Sequence, residues 1–305
     1  MLRRALVISL LGAAACGTPG PVKPPSGSGV GPLSRAADAQ MILVAPGMYV
    51  AGATPDERDV AYDDYLATAG RDDARENDWF KREEDRHVAE LPAFRIDLMP
   101  VTNAQYAEFV GTGEAPAPAM DEATWAAQGF VQDYATEVTR FIWSTTTSPI
   151  GREDHPVVLI TWDQANTYCA WRGSLLGVTR RLPTAAEREK AARGREGFIY
   201  PWGNTWVADN LNSAVKGPND TVPVGSFPHG ASPYGVLDLA GNTFEWTSTP
   251  WPPGASTGAR ERTVRGSAWE DYAGVGRGAA WHGRAHDARH VIVGFRCASD
   301  AEVVE

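Results

Sequence analysis

Three histidines near the end of the chain, His282, His286 and His290, recur at every fourth residue. On a helix this spacing would stack them on one face, where imidazole nitrogens could hold Zn²⁺ or Fe²⁺. Gly283 opposes a helix there, and an Arg-rich surface loop carrying three histidines is the plainer alternative. Thiol chemistry is more tightly bounded. The chain has three cysteines, Cys16, Cys169 and Cys297, with none between the last two. Lys and Arg number 28 against 38 Asp and Glu, a net charge of −10. That balance excludes nucleic acid, which needs clustered cations. It admits cation binding, although acidity also serves solubility.

Cys16 has its own setting. Arg3 and Arg4, the apolar run from Ala5 to Leu11 and the small residues of 12–15 read as a signal peptide over residues 1–15. The stretch is too short to span a bilayer. A cysteine directly after small residues resembles a bacterial lipobox, with Ala13 where Leu is usual. Lipidation of Cys16 is therefore expected, with ordinary secretion as the alternative. A Gly, Pro and Ser-rich linker is expected over residues 16–38, ahead of a domain over 39–305. A diacyl-type anchor supplies the two chains that stable membrane attachment needs. The expected location is the bacterial cell envelope, lipid-anchored, facing the periplasm or outer surface. That oxidising setting lets a disulfide between Cys169 and Cys297 persist.

The elements that would position a site are short. Residues 41–50 read as a strand broken by a Pro-Gly turn, and 94–98 alternate as a strand. The charged stretch 53–87 reads as solvated loop or a short exposed helix. Thr102 or Asn103 begins a helix carrying Tyr106, Phe109 and Val110, and residues 112–150 are an insert. Val157 to Ile160 reads as a buried strand, and Thr161 or Asp163 caps a helix carrying Cys169. Thr184 and Glu187 form a capping box. With 31 Gly, 22 Pro and 11 Trp, 43% of the residues being hydrophobic, the chain fits a loop-rich α+β domain stapled by aromatic residues.

The run Tyr234-Gly-Val-Leu-Asp-Leu-Ala-Gly-Asn-Thr-Phe-Glu-Trp246 resembles the core signature of the formylglycine-generating enzyme (sulfatase-modifying-factor) family. Arg181-Leu-Pro-Thr-Ala-Ala-Glu-Arg-Glu-Lys-Ala-Ala-Arg-Gly194 resembles its helix-start motif. Tyr200-Pro-Trp-Gly-Asn204, Pro223-Val-Gly-Ser-Phe227, Arg265-Gly-Ser-Ala-Trp269 and Gly294-Phe-Arg-Cys297 follow in the family's order. The resemblance runs from about Met41 to Ala298. It implies a modified C-type-lectin-like fold and pairs Cys169 with Cys297. Closing that loop is worth roughly 3–5 kcal/mol in the chain-entropy model.

The family's oxidase holds copper(I) on two cysteines shortly after the Arg-Gly-Gly-Ser-like motif. Asp271 falls nearest the first of them and the second falls in a deletion. Asp cannot replace a thiolate toward copper(I), so copper and standard sulfatase maturation are not expected. The resemblance implies Ca²⁺ at Asp238, Gly241, Thr243 and Glu245, through hard oxygens. The alternative is that Glu245 and Asn242 simply bond loop amides. A second calcium site would use Asn210 and Leu211 with Asp220. Position 188 is usually Trp in the family and is Arg188 here. Trp162, Trp171, Trp202, Trp246 and Trp269 read as core staples, and Arg265 and Arg296 as partners of buried ion pairs or carbonyls. The expected function is a non-catalytic or non-standard lipoprotein member that binds a protein partner or small ligand. An oxidoreductase of altered, iron-dependent chemistry is the alternative. Its candidate catalytic residues are Asp271, Glu270 and Tyr272, with the three histidines beside them.

Overall fold

The structure is a computed structural model. It describes residues 31–301 except 253, 255–257 and 259. The expected signal peptide and the lipidation residue Cys16 lie outside the described residues. Helix α1 (Pro32–Ala39) opens the described chain. Residues read as the end of a linker are thus helical from Pro32. Glu108 accepts the Leu33 and Ser34 amides at 2.8 and 2.9 Å, Ser34 Oγ lies 2.9 Å from Tyr168 Oη, and Asp38 binds Arg180 at 2.7 Å.

Three small sheets follow. Strands β1 (Ile42–Val44), β4 (Phe94–Ile96) and β9 (Ala298–Asp300) form one, in the order β1-β4-β9, with Ile42 opposite Ile96 and Ile96 opposite Ala298. Strands β2 (Gly47–Ala51) and β3 (His87–Leu91) form a second. The Pro-Gly turn does break 41–50, but it sends the two halves to different sheets. Strands β5 (Phe244–Trp251), β6 (Glu261–Arg265), β7 (Trp281–Ala285) and β8 (Val293–Gly294) form the third, in the order β7-β6-β5-β8. Only the β5–β8 pair is parallel in this sheet.

Two helices carry the core toward the sheets. Helix α4 (Asn103–Val110) is capped by Thr102, and α6 (Trp162–Ser174) by Thr161. Each has a complete capping box with Gln three residues on. Tyr106 of α4 stacks on Tyr168 of α6 at 5.6 Å, and Phe295 meets both edge-on at 6.3 and 5.3 Å. Cys169 is bonded to Cys297 within this core, with Cα atoms 5.6 Å apart and a sequence separation of 128. Residues 157–160 are buried but form no strand. Leu159 turns at φ 59, and the amides of Val157 and Leu159 bond Val101 and His290 instead.

The stretch read as solvated is the largest departure. Residues 55–69 form α2 (Pro55–Ala69), capped by Thr54 and Glu57 with Pro55 in the first turn. Its hydrophobic pattern is weak because only Ala61, Tyr62 and Tyr65 turn inward. A short α3 (Asp73–Glu76) follows. Residues 112–150 hold α5 (Glu122–Ala127), a π-helical turn at Tyr134–Val138 and a 3₁₀ turn at Thr139–Phe141. The insert belongs to the core through Trp125, Val138, Phe141 and Trp143.

Buried charge is abundant and paired. Helix α7 (Ala185–Arg193) places Arg188, Glu189 and Arg193 inside the protein. Glu189 binds Arg193 at 2.6 Å and Arg265 at 2.8 Å. Arg277 binds Glu83 and Arg172 binds Asp97, both buried. Trp171, Trp246 and Trp269 are core staples as expected, while Trp162 and Trp202 are half-buried.

Candidate functional site

A cleft of about 740 Å³ opens where α2, the π-helical turn and the loop after β6 meet. Gly274, at φ 87, lets that loop run against the Ala61 carbonyl of α2, where a Cβ would collide with backbone. Ala273 also donates its amide to Thr68 Oγ1 at 3.2 Å. The floor is Trp269, Glu270, Asp271 and Tyr272, and the walls include Tyr65, Arg71, Asp73, Trp79 and Glu137. The three candidate residues around Asp271 are therefore gathered in one cavity.

Each of them is held. Asp271 Oδ2 accepts the Ala268 amide at 2.7 Å, its own amide bonds the Ala268 carbonyl at 3.1 Å, and its carbonyl accepts the Ala214 amide at 2.9 Å. Both oxygens of Glu270 accept Gln132 Nε2, at 2.7 and 2.9 Å. Tyr272 packs edge-on against Tyr65 at 5.8 Å, with the Arg71 guanidinium 5.7 Å from its ring. Burial pushes the Asp271 carboxyl up to about 7, with the Glu270 charge adding to it and the Ala268 amide opposing. Burial also raises Glu270, against its bond from Gln132. Trp269 lies beneath them, 2% exposed, and its indole N–H finds no acceptor in the protein.

The histidines do not join this site or one another. The every-fourth-residue spacing falls on β7 and the turns after it, not on a helix. His282 pairs with Val264 across the sheet, with its ring edge-on to Phe244 at 5.3 Å. His286 Nδ1 lies 3.0 Å from Asp163. His290 packs 3.9 Å from Phe130, and its Nδ1 accepts the Ile292 amide at 3.3 Å. Burial, with Arg284 nearby, pushes His282 and His290 down to about 3. Among the described residues no group of three or more His, Cys, Asp or Glu could hold a metal ion. The iron reading from His282, His286 and His290 is corrected accordingly.

In the loop read for calcium, the two carboxylates already have partners within the protein. Asp238 at φ 52, Gly241 at φ 77 and Asn242 at φ 66 wind it through left-handed backbone. Glu245 lies at its end in β5, fully buried. Arg188 reaches the carboxylate at 2.7 and 3.1 Å, and Arg296 reaches it at 2.8 Å on both oxygens. Asp238 Oδ2 takes the Gly225 amide at 2.7 Å, and the Gly241 carbonyl takes the Thr243 amide at 2.9 Å. Ca²⁺ needs six to eight oxygens, carboxylates foremost, and with Glu245 held by two guanidinium groups and Asp238 by an amide, the set Asp238, Gly241, Thr243 and Glu245 fits it poorly. The second set fails in the same way. Leu211 is buried, Asn210 ends a 3₁₀ turn, and Asp220 is bound by Arg152 and Arg140. In both places an arginine stands against the carboxylate that calcium would need. Arg188, where the family carries Trp, was the visible signal.

The family can now be stated from comparison as well as geometry. Residues 29–301 match the profile of the sulfatase-modifying factor enzyme 1-like domain. The chain is 32% identical to the inactive C-alpha-formylglycine-generating enzyme 2 of Mus musculus, covering 88% of each chain. It is 30% identical to hercynine oxygenase of Mycolicibacterium smegmatis, over 72% of this chain and 55% of that one. In structure it resembles PvdO from Pseudomonas aeruginosa, with a TM-score of 0.63, 23% identity, and coverage of 86% of this chain and 94% of that one. The fold is thus the C-type-lectin-like fold of formylglycine-generating enzymes, and the chain belongs to the sulfatase-modifying-factor family.

Proposed function

We infer that this domain is a copper-free member of its family whose aromatic and acidic cleft binds a ligand, in a chain held at the cell envelope through Cys16. The observation that carries the reading is the absence of thiol from the cleft. Of the three cysteines, Cys169 and Cys297 are bonded to each other in the core, and Cys16 stands far away in the sequence. The position nearest the first copper cysteine holds Asp271, whose carboxylate caps its own turn. Hard carboxylate oxygen is a poor match for copper(I). What stays in the cleft, rings and carboxylates on a rigid floor, is binding chemistry. The similarity to a mouse protein named inactive supports the same reading.

The test is incubation of the purified domain with a sulfatase-type cysteine peptide, copper and oxygen. Peptide mass spectrometry should find no formylglycine above a no-enzyme control, and formylglycine above it would overturn the reading. For the anchor, Cys16→Ser should move the full chain from the membrane fraction to the soluble one. A mutant that fractionates like wild type would assign simple secretion or another anchor. A catalytic alternative rests on Asp271 alone, a carboxyl near neutrality in a cleft, which suits acid–base work. It would require turnover that Asp271→Asn abolishes.

A further inference from the structure

We propose that a second cavity, beside β7, receives a small apolar molecule bearing an α-carboxylate, with Arg284 as the residue that holds the carboxylate. The cavity measures about 470 Å³ and shares no lining residue with the cleft. Thr124, Gln128 and Phe130 of the insert form one wall, and Arg284 and Ala288, from β7 and the turn after it, form the other. β7 is the end strand of its sheet, so no further strand closes this side. The volume is that of a small-molecule site.

Arg284 is the first ground. Arg172, Arg188, Arg193, Arg265, Arg277 and Arg296 are buried, and each holds a carboxylate at 2.5 to 2.8 Å. Arg284 is half-buried and has no such partner among the described residues. Its one hydrogen bond runs from Nη1 to the carbonyl of its neighbour Gly283, at 2.9 Å. Nε is sealed from water without an acceptor. The carboxyls of Asp271, Glu270 and Glu261 attract it from beyond ion-pair distance. Glu270 has both oxygens on Gln132, and Asp271, pushed up to about 7, is charged only in part near neutrality. Together they do not offset burial, which holds the guanidinium below its ordinary pKa. Nη2 and the remaining N–H of Nη1 are left for a carboxylate, the anion whose two oxygens match a guanidinium edge.

The rest of the lining sets the body of the ligand. Phe130 is braced by Trp125 at 5.1 Å and by His290 at 3.9 Å, and the Gln128 oxygen accepts the Arg289 amide at 2.9 Å. A wall ordered in advance spares the ligand that entropy. Phe130, Ala127 and Ala288 offer contact to a hydrocarbon side chain, which sulfate and phosphate lack. Glu261 and Asp287 also line the cavity, both exposed, and they oppose a doubly charged anion. Asp287 is drawn to Arg260 at 3.5 Å, whereas the Glu261 carboxylate has no ion-pair partner among the described residues. A free amino acid and a peptide C-terminus both carry an α-carboxylate on an apolar body. Glu261 favours the first, whose ammonium group it would attract.

The probes are leucine, N-acetyl-leucine, which keeps only the carboxylate, and leucinamide, which keeps only the ammonium. In titration calorimetry on the full chain, the tighter of the two carboxylates should bind at least about tenfold better than leucinamide. Leucine above N-acetyl-leucine assigns a free amino acid, and N-acetyl-leucine equal or above assigns a peptide C-terminus. Arg284→Gln should weaken the tighter carboxylate about tenfold or more. Ala127→Trp fills the cavity from its exposed wall and should remove saturation, which keeps the test decisive should Arg284→Gln fold poorly. Leucinamide binding as well as the carboxylates would overturn the proposal. So would a lack of saturation by either carboxylate at about 10 mM. Either variant, folded and binding like wild type, would also overturn it by placing the ligand elsewhere. None of these outcomes bears on formylglycine formation, so the copper-free reading stands or falls by its own test.

Discussion

Replacing Glu245 by Gln tests how the signature loop is held. The carboxylate takes four hydrogen bonds from two guanidinium groups between 2.7 and 3.1 Å, and both arginines are as buried as it is. Burial alone would raise its pKa, but Arg188 and Arg296 outweigh burial and hold it below the ordinary glutamate value. The amide in Glu245→Gln keeps the shape and removes the charge. Arg296 retains the carbonyls of Asp97, Leu98, Leu237 and Asp238, whereas Arg188 retains only that of Leu239. The cost therefore falls mainly on Arg188, left as a buried cation without its anion. Breaking such a pair costs about 3–5 kcal/mol. For a domain of this size that lowers the melting temperature by roughly 6–20 °C. Arg188→Met should cost less, since one carboxylate then faces one guanidinium and the charge balances. Chelator should leave wild-type melting unchanged, because no bound calcium is lost. Differential scanning calorimetry with and without EDTA reads all three. A Glu245→Gln protein that melts like wild type, or a wild-type protein that loses several degrees to EDTA, would refute the reasoning.

Other outcomes follow from the same structure. Cys169→Ser with Cys297→Ser should cost about 3–5 kcal/mol in denaturant unfolding, since the bridge closes a long loop; a cost under about 1 kcal/mol would contradict it. Asp271 holds a proton in the folded state up to about pH 7 that it sheds near pH 4 when unfolded. Its contribution is thus favourable below the unfolded value and is lost as pH rises toward 7. Asp271→Asn should therefore raise the melting temperature at pH 8 more than at pH 5, and an equal change at both would refute the assignment. Thr54→Ala removes the α2 capping box and should cost about 1 kcal/mol in the same denaturant assay.

Legibility in the sequence followed the local signals. Capping boxes at Thr184 and the Thr caps of α4 and α6 were readable because a cap needs only four residues. Thr54-Pro55-Asp56-Glu57 carries the same signal, yet the stretch read only as solvated loop or a short exposed helix. Its acidic surface hid the three residues that turn inward, of which Tyr62 meets Phe80 and Tyr65 meets Trp79 and the sequence-distant Tyr272. Periodicity misled at His282, His286 and His290, where spacing by four fell on a strand and the turns after it. The floor of the cleft was found only through alignment to lost cysteines. Nothing in the run Trp269-Glu-Asp-Tyr272 says that Gln132, from the insert, will hold Glu270. The paired arginines were legible one by one, but their partners are set by tertiary contact over 51 to 199 residues.

The docking of α1 has a mechanical consequence. A pull applied at residue 31 does not reach a strand edge first. It meets Glu108 at the start of α1 and Asp38 at its end, which hands the load to Arg172 and Arg180. Arg172 lies on α6, one turn beyond Cys169, whose bond to Cys297 carries the strain covalently into the segment leading to β9. Tension entering at residue 31 is thereby shared with the segment around Cys297, and the sheets are spared from being peeled apart strand by strand.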